Sequence, residues 1–172
     1  METKHIWPKT ILSVYRYLER ICDAIDKISI ASALSSNNIS GQNYFLNNTY
    51  AISQKLLDLG ERKVTLINLK LLTEDVLSKM KEIDANLLIE KYVDGRKAKE
   101  ISERYNLSLR SAFRKLALAE ESFDKKLNLL GYDDEKLSKM LKDERWIINV
   151  YDRFAQNEKE IEITTRELSR AV

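Results

Sequence analysis

A single proline, Pro8, and four glycines punctuate the whole 172-residue chain. Sheets and barrels spend both residue types on turns, so a chain this poor in them is confined to long helices and short polar connections. After Pro8 no residue need break a helix through loss of its backbone donor. The expectation is an all-α fold: a long antiparallel helical hairpin, then a helix-turn-helix domain, then C-terminal helices.

The hydrophobic spacing supports this reading. From Pro8, a favoured residue in a first helical turn, Ile11, Val14, Tyr15, Leu18, Ile21, Cys22, Ile25 and Ile28 recur every three or four positions. That stripe predicts an amphipathic helix of several turns. The run Ser35-Ser36-Asn37-Asn38-Ile39-Ser40-Gly41-Gln42-Asn43 competes for backbone hydrogen bonds and reads as a loop. A second long helix is expected from about Asn48 to Met80, with Ile52, Leu56, Leu59, Val64, Ile67, Leu71 and Leu77 inward. Gly60 lies inside it, marking a bend or a close helix approach. Tyr15, Tyr17, Ile30, Leu66, Leu69 and Leu72 fall partly outside the shared stripe. Apolar surface left over in this way predicts a homodimer through the hairpin. The alternative is a monomer in which Trp146, Val150, Tyr151 and Phe154 fold back over it.

The boundaries fall at 1–82, 83–130 and 131–172. In the middle segment Asp84 is placed to cap a helix through Leu87, Leu88, Ile89 and Tyr92, which Asp94-Gly95 ends. Lys97 to Tyr105 forms a short helix, Asn106 a turn, and Ser108 caps a helix running to about Leu127. Gly131 to Asp134 is a second break with a capped start, followed by Leu137, Met140 and Leu141. The residues from Asn157 onward are polar and expected to fray.

The net charge of +2 points to no partner, but its distribution does. Between Arg96 and Lys115 stand Arg96, Lys97, Lys99, Arg104, Arg110, Arg114 and Lys115 against Glu100 and Glu103, a net of +5, while the chain beyond Leu127 is acidic. No acid occurs between Ser108 and Ala119. Ile101, Leu107, Ala112 and Leu116 sit where two crossing helices bury apolar side chains, and Ser102 is small at the crossing. Arg110, Ser111, Arg114 and Lys115 share the other face by helical spacing. A helix of that width and sign suits a DNA major groove.

Here the residues resemble a known family. Lys91-Tyr92-Val93-Asp94-Gly95, then Glu100-Ile101-Ser102-Glu103-Arg104-Tyr105-Asn106, then Leu107 to Leu116 with trailing Ala119 and Phe123, are similar in order to region four of bacterial sigma factors and related helix-turn-helix regulators. The resemblance covers about forty residues, Leu87 to Leu127, roughly a quarter of the chain. Ser102 stands where that family has alanine, Asn106 where it has glycine, and Ala112 where it has a branched residue. The space beside Ala112 is one Phe113 is expected to fill. The promoter-melting region of sigma factors has no counterpart.

The resemblance implies a DNA-binding transcriptional regulator of a bacterium, phage or mobile element. Arg110, Arg114 and Lys115 would meet guanines or phosphates, Ser111 would be a short polar contact beside the cap Ser108, and Arg96, Lys97 and Lys99 would hold phosphates. The partners expected are double-stranded DNA, a second copy and RNA polymerase. The rival reading is a helical adaptor that uses a degenerate helix-turn-helix to bind RNA, RNA polymerase or another protein.

Other chemistry has little to stand on. Cys22 is the one cysteine, so no intrachain disulfide forms and a cytoplasmic, reducing setting is expected. In its apolar stripe it reads as a packing cysteine rather than a reactive thiol. His5 is the one histidine and cannot alone build a metal cluster or a triad. There is no glycine-rich phosphate loop, no cofactor signature and no membrane-length apolar run. Asn47-Asn48-Thr49 and Asn106-Leu107-Ser108 match the glycosylation pattern by chance. Trp146 reads as core or interface. The sequence reads as a binding protein, not an enzyme.

Overall fold

The structure is a computed structural model that describes the backbone of residues 5–35 and 42–170 and the side chains of residues 5–34 and 49–160. Every regular element among the described residues is helical. They are α1 (Ile6–Ser35), α2 (Gln42–Ser78), α3 (Glu82–Leu88) continued by a π-helical turn (Ile89–Val93), α4 (Ala98–Arg104), α5 (Leu109–Leu129), α6 (Asp134–Leu141) and α7 (Arg145–Arg170). The sparse glycine and proline content thus has the consequence expected of it.

Two compact units emerge, and they group the residues differently from the segments 1–82, 83–130 and 131–172. One is Tyr17–Leu71. The other joins the chain up to Arg16 with the chain from Leu72 onward.

In the first unit the far part of α1 runs antiparallel to α2. Lys63 Nζ lies 2.6 Å from Asp26 Oδ1 and Lys70 Nζ 3.7 Å from Glu19 Oε2. Seven residues forward on α2 therefore match seven backward on α1. Such half-exposed ion pairs contribute little stability. Burial of Leu18, Cys22, Ile25, Leu59, Leu66 and Leu69 holds the unit. Burial also pushes the Cys22 thiol up, against the pull of Lys63, which keeps it protonated and inert.

The expected phase of α2 is corrected here. Leu66 and Leu69 are fully buried, whereas Leu57, Val64, Ile67 and Leu71 are exposed. Ile28 on α1 is exposed too. Two apolar seams, each with near-heptad spacing, lie on opposite faces of α2. Lys63 and Lys70, which meet Asp26 and Glu19, border the seam that turns inward. The surplus apolar surface assigned to Leu66, Leu69 and Leu72 is therefore internal; Tyr17 and Ile30 remain exposed. The start of α2 also differs. Gln42 and Asn43, expected in the loop, are helical, and the rest of that run, from Ser36 to Gly41, lies outside the described residues.

In the second unit Trp7, Ile11, Leu12, Val76, Leu87, Leu88, Ile101, Phe123, Leu127, Leu137, Leu141 and Ile147 are buried. Trp7 meets Tyr151 of α7 with ring centroids 4.5 Å apart. Polar contacts fasten the start of α1 to α5 and α7. Lys9 Nζ is 2.8 Å from Glu158 Oε1 and 3.7 Å from Glu120 Oε2, and His5 Nδ1 is 2.8 Å from Asp124 Oδ2. Tyr92 donates its hydroxyl to Glu120 Oε1 at 2.6 Å. Burial, reinforced by that carboxylate, pushes the Tyr92 phenol far up, so it acts as a neutral donor at any physiological pH.

Several helix ends follow the local chemistry expected of them. Gly131 has φ +77°, and Asp133 caps α6 by accepting from Lys136 N at 2.8 Å. One differs. Lys81, not Asp84, is the N-cap of α3, and Asp84 sits in its first turn, where a carboxylate still favours the helix dipole. The backbone of α7 is helical to Arg170. Trp146 is half-buried, its indole N–H donating to Glu144 at 2.9 Å.

Candidate nucleic-acid interface

The segment from α3 to α5 is built by local rules. The π-helical turn after α3 widens the backbone: Asp94 N–H reaches Ile89 O at 3.0 Å and Arg96 N–H reaches Glu90 O at 2.9 Å. Gly95 follows with φ +73°, a left-handed conformation that a side chain would strain. Lys97 then caps α4, its backbone N–H donating to the Glu100 carboxylate at 3.1 Å. Asn106 makes the next turn with φ +50°, a conformation asparagine tolerates. Leu107 N–H closes that turn on Ser102 O at 2.8 Å. Ser108 caps α5 by accepting from Ser111 N–H at 3.1 Å.

Beneath these turns Leu87, Ala98, Ile101 and Leu116 form one buried cluster, with Tyr105 packed against it. Helix α5 packs on both α3 and α4. The small residues Ala112, Ala119 and Ser102 are buried and permit that approach. Ser102 Oγ is satisfied by donating to Lys99 O at 2.7 Å. Leu107 is only half-buried, less than its spacing suggests.

Glu90, on the π-helical turn, is 7% exposed. One carboxylate oxygen accepts from the Tyr105 hydroxyl at 3.2 Å and lies 3.4 Å from Arg104 Nε. The other has no hydrogen-bond partner among the described residues. Burial, with Glu90 adding to it, raises the Tyr105 phenol above its ordinary range. Arg104 is thereby committed to the fold, although it adds to the positive stretch in the sequence.

The remaining cations divide into two groups. Arg110 and Arg114 are exposed on α5 on the side away from Ala112, Leu116, Ala119 and Phe123, and Lys115 is exposed at the edge of that buried row. None of the three has a hydrogen bond or ion pair with a described residue. Arg96, Lys97 and Lys99 form the second group, around the start of α4, and all are exposed. Arg96 Nε is 4.0 Å from the Asp94 carboxylate, at the limit of an ion pair. Ser108 and Ser111 are engaged with each other: their hydroxyls are 2.8 Å apart, so both serve the cap before any outside contact.

No protein-family model, curated protein or solved structure matches this chain. Its chemistry has to be read from its own side chains. Among the described residues no three His, Cys, Asp or Glu side chains are grouped to hold a metal ion, and no helix is long and apolar enough to cross a membrane.

One feature of the face is missing from the sequence reading. Phe113 does not fill space beside Ala112; it is 55% exposed. Ala117 is exposed as well, and Leu109 and Leu118 are about half so. Ala112 needs no filler because α5 lies close enough for its methyl group to be fully buried. The signal was available: the core row Ala112, Leu116, Ala119, Phe123 fixes the helix phase, and a residue adjacent to Ala112 is turned 100° from it.

Proposed function

We propose that this chain binds double-stranded DNA as a transcriptional regulator, with α4, the turn at Asn106 and α5 acting as a helix-turn-helix and α5 entering the major groove. The observation that carries this reading is the trio Arg110, Arg114 and Lys115: three exposed cations with no described partner, in the acid-free first turns of a helix that buries its other side. Exposed cations without local carboxylates are the footprint a phosphate backbone requires. The sequence likeness to sigma region four supports the same reading, with Arg110 and Arg114 meeting guanines, Lys115 a phosphate, and Arg96, Lys97 and Lys99 flanking phosphates. The reading is of a cytoplasmic binding protein rather than an enzyme.

A pool of random duplexes titrated at several salt concentrations tests it. If about four to six phosphates are neutralised, log affinity should fall against log salt with a slope of about −4 to −5, at ~0.9 per phosphate. A flat response, or no binding at low salt, overturns the reading. The second reading, an adaptor for RNA polymerase or another protein, is favoured by the apolar side chains Leu109, Phe113 and Leu118 among these cations.

We propose further that two copies associate through the outer seam of α2, since paired half-sites offset the weak affinity of one small module. Leu57, Val64, Ile67 and Leu71 keep a near-heptad spacing, and all are exposed. Gly60 lies within the same seam, and a Cβ built on it would have nothing within 4 Å. Glycine inside a helix costs about 1 kcal/mol relative to alanine. No neighbour among the described residues explains it, whereas close approach of a second helix would. Sedimentation should give twice the chain mass, and Val64→Lys with Ile67→Lys should return it to the monomer. A wild-type protein that stays monomeric with and without DNA refutes this association.

A further inference from the structure

The face of α5 holds two parallel rows. Arg110 and Arg114, four residues apart, form a cationic row; Phe113 and Ala117, also four apart, form an apolar row beside it. All four are exposed. By helical spacing Arg110 neighbours Phe113, and Arg114 neighbours Ala117, each pair three residues apart. The Phe113 ring is 55% exposed and lies one turn from Arg110, which has no described partner. It gives the helix an apolar contact beside a guanidinium group.

We infer that Phe113 is a specificity residue that reads the C5 methyl of thymine beside the guanine met by Arg110. The inference rests on the DNA-binding reading above. Three considerations select this occupant. The major groove presents one apolar group, the thymine methyl, and a phenyl ring is among the side chains that match it. The neighbouring cations favour a polyanion over an apolar protein surface, and the one acid that shares this face by helical spacing, Glu121, is paired with Lys125. The rise of 1.5 Å per residue puts Phe113 about 4.5 Å along the helix from Arg110 on an adjoining strip of surface, so a base next to the guanine met by Arg110 would be within its reach. Ala117 extends the apolar row and would contact the same methyl or the next.

The test uses the full chain and a duplex selected from a random pool. A second duplex replaces each thymine of the selected site by deoxyuridine, which deletes only C5 methyl groups. Wild type should bind the deoxyuridine duplex about fourfold more weakly for each methyl it contacts, from ~0.8 kcal/mol per buried carbon. Phe113→Ala should bind the thymine duplex more weakly and lose the difference between the two. Phe113→Leu should keep part of it. Because Phe113 is exposed, Phe113→Ala should melt as wild type does, and that measurement accompanies the titration. A wild type that binds both duplexes equally overturns the inference and leaves the DNA-binding reading standing. So does a Phe113→Ala variant that keeps the full methyl preference. If Phe113→Ala binds every duplex as wild type does, the ring belongs to a protein contact. Absence of duplex binding at low salt overturns the inference and the functional reading together.

Discussion

Replacing Arg110, Arg114 and Lys115 together by alanine is expected to weaken duplex binding by about a hundredfold or more, at ~1–3 kcal/mol for each base that is no longer read. The salt slope should shrink at the same time, by ~0.9 for each phosphate no longer neutralised. These two readouts separate the roles. An arginine that reads guanine should relax the preference at one position of the site, whereas a lysine on phosphate should weaken all sequences alike. The fold should not suffer. All three side chains are exposed and have no described partner, so the melting transition should stay within about 0.5 kcal/mol of wild type. A triple variant that binds a selected duplex as tightly as wild type would remove α5 from the groove, leaving Arg96, Lys97 and Lys99 as the cations to examine.

Leu116→Ala is expected to destabilise the protein by about 2–5 kcal/mol, the range for a buried leucine whose cavity cannot fully collapse. Leu116 is 4% exposed and shares its cluster with Leu87, Ala98 and Ile101, so the void would open where α3, α4 and α5 meet. Leu118 is two residues along the same helix and 53% exposed; Leu118→Ala should cost only a few tenths of a kcal/mol. Chemical denaturation of the two variants side by side is the measurement. Similar midpoint shifts would mean that α5 is rotated about its axis from the arrangement described, and the cationic face would move with it. The pair therefore checks the phase on which the proposed interface depends.

What the sequence made legible is the chemistry of helix ends. Gly95, Asn106, Ser108, Gly131 and Asp133 are each recognisable because their effect is local. A positive φ or a hydroxyl facing an unpaired N–H acts within a few residues, whatever the rest of the chain does. The crossing of α4 and α5 was legible for the same reason, being closed by a turn of a few residues. The inward face of α2 was not. Its sequence carries two apolar seams of the same spacing, and which of them meets α1 depends on packing with residues far away along the chain. The π-helical turn was equally hidden. Nothing in Ile89 to Val93 announces a wider backbone turn, yet that turn sets Glu90 beside Arg104 and Tyr105 and removes Arg104 from the free cations. On the interface itself, the acid-free run marked the cations. Phe113 was misplaced because a gap beside Ala112 follows from residue size alone, whereas its absence depends on the distance between helices.

The compact unit that carries α5 begins with the first helical turn of the chain and closes on the last helix. Trp7 meets Tyr151, and Lys9 meets Glu158. During synthesis at about 5–20 residues per second, Trp7 is added to the chain roughly 7–30 s before Tyr151. Through that interval Trp7, Ile11 and Leu12 lack the helices that bury them, while Tyr17–Leu71 can already assemble its own core. The order of birth is thus the reverse of the order of sequence: the inserted unit can mature first, and the unit whose residues appear earliest is completed last. A nascent chain stalled before α7 would hold α5 without the tryptophan–tyrosine clasp, so the proposed DNA reading would have to wait for α7.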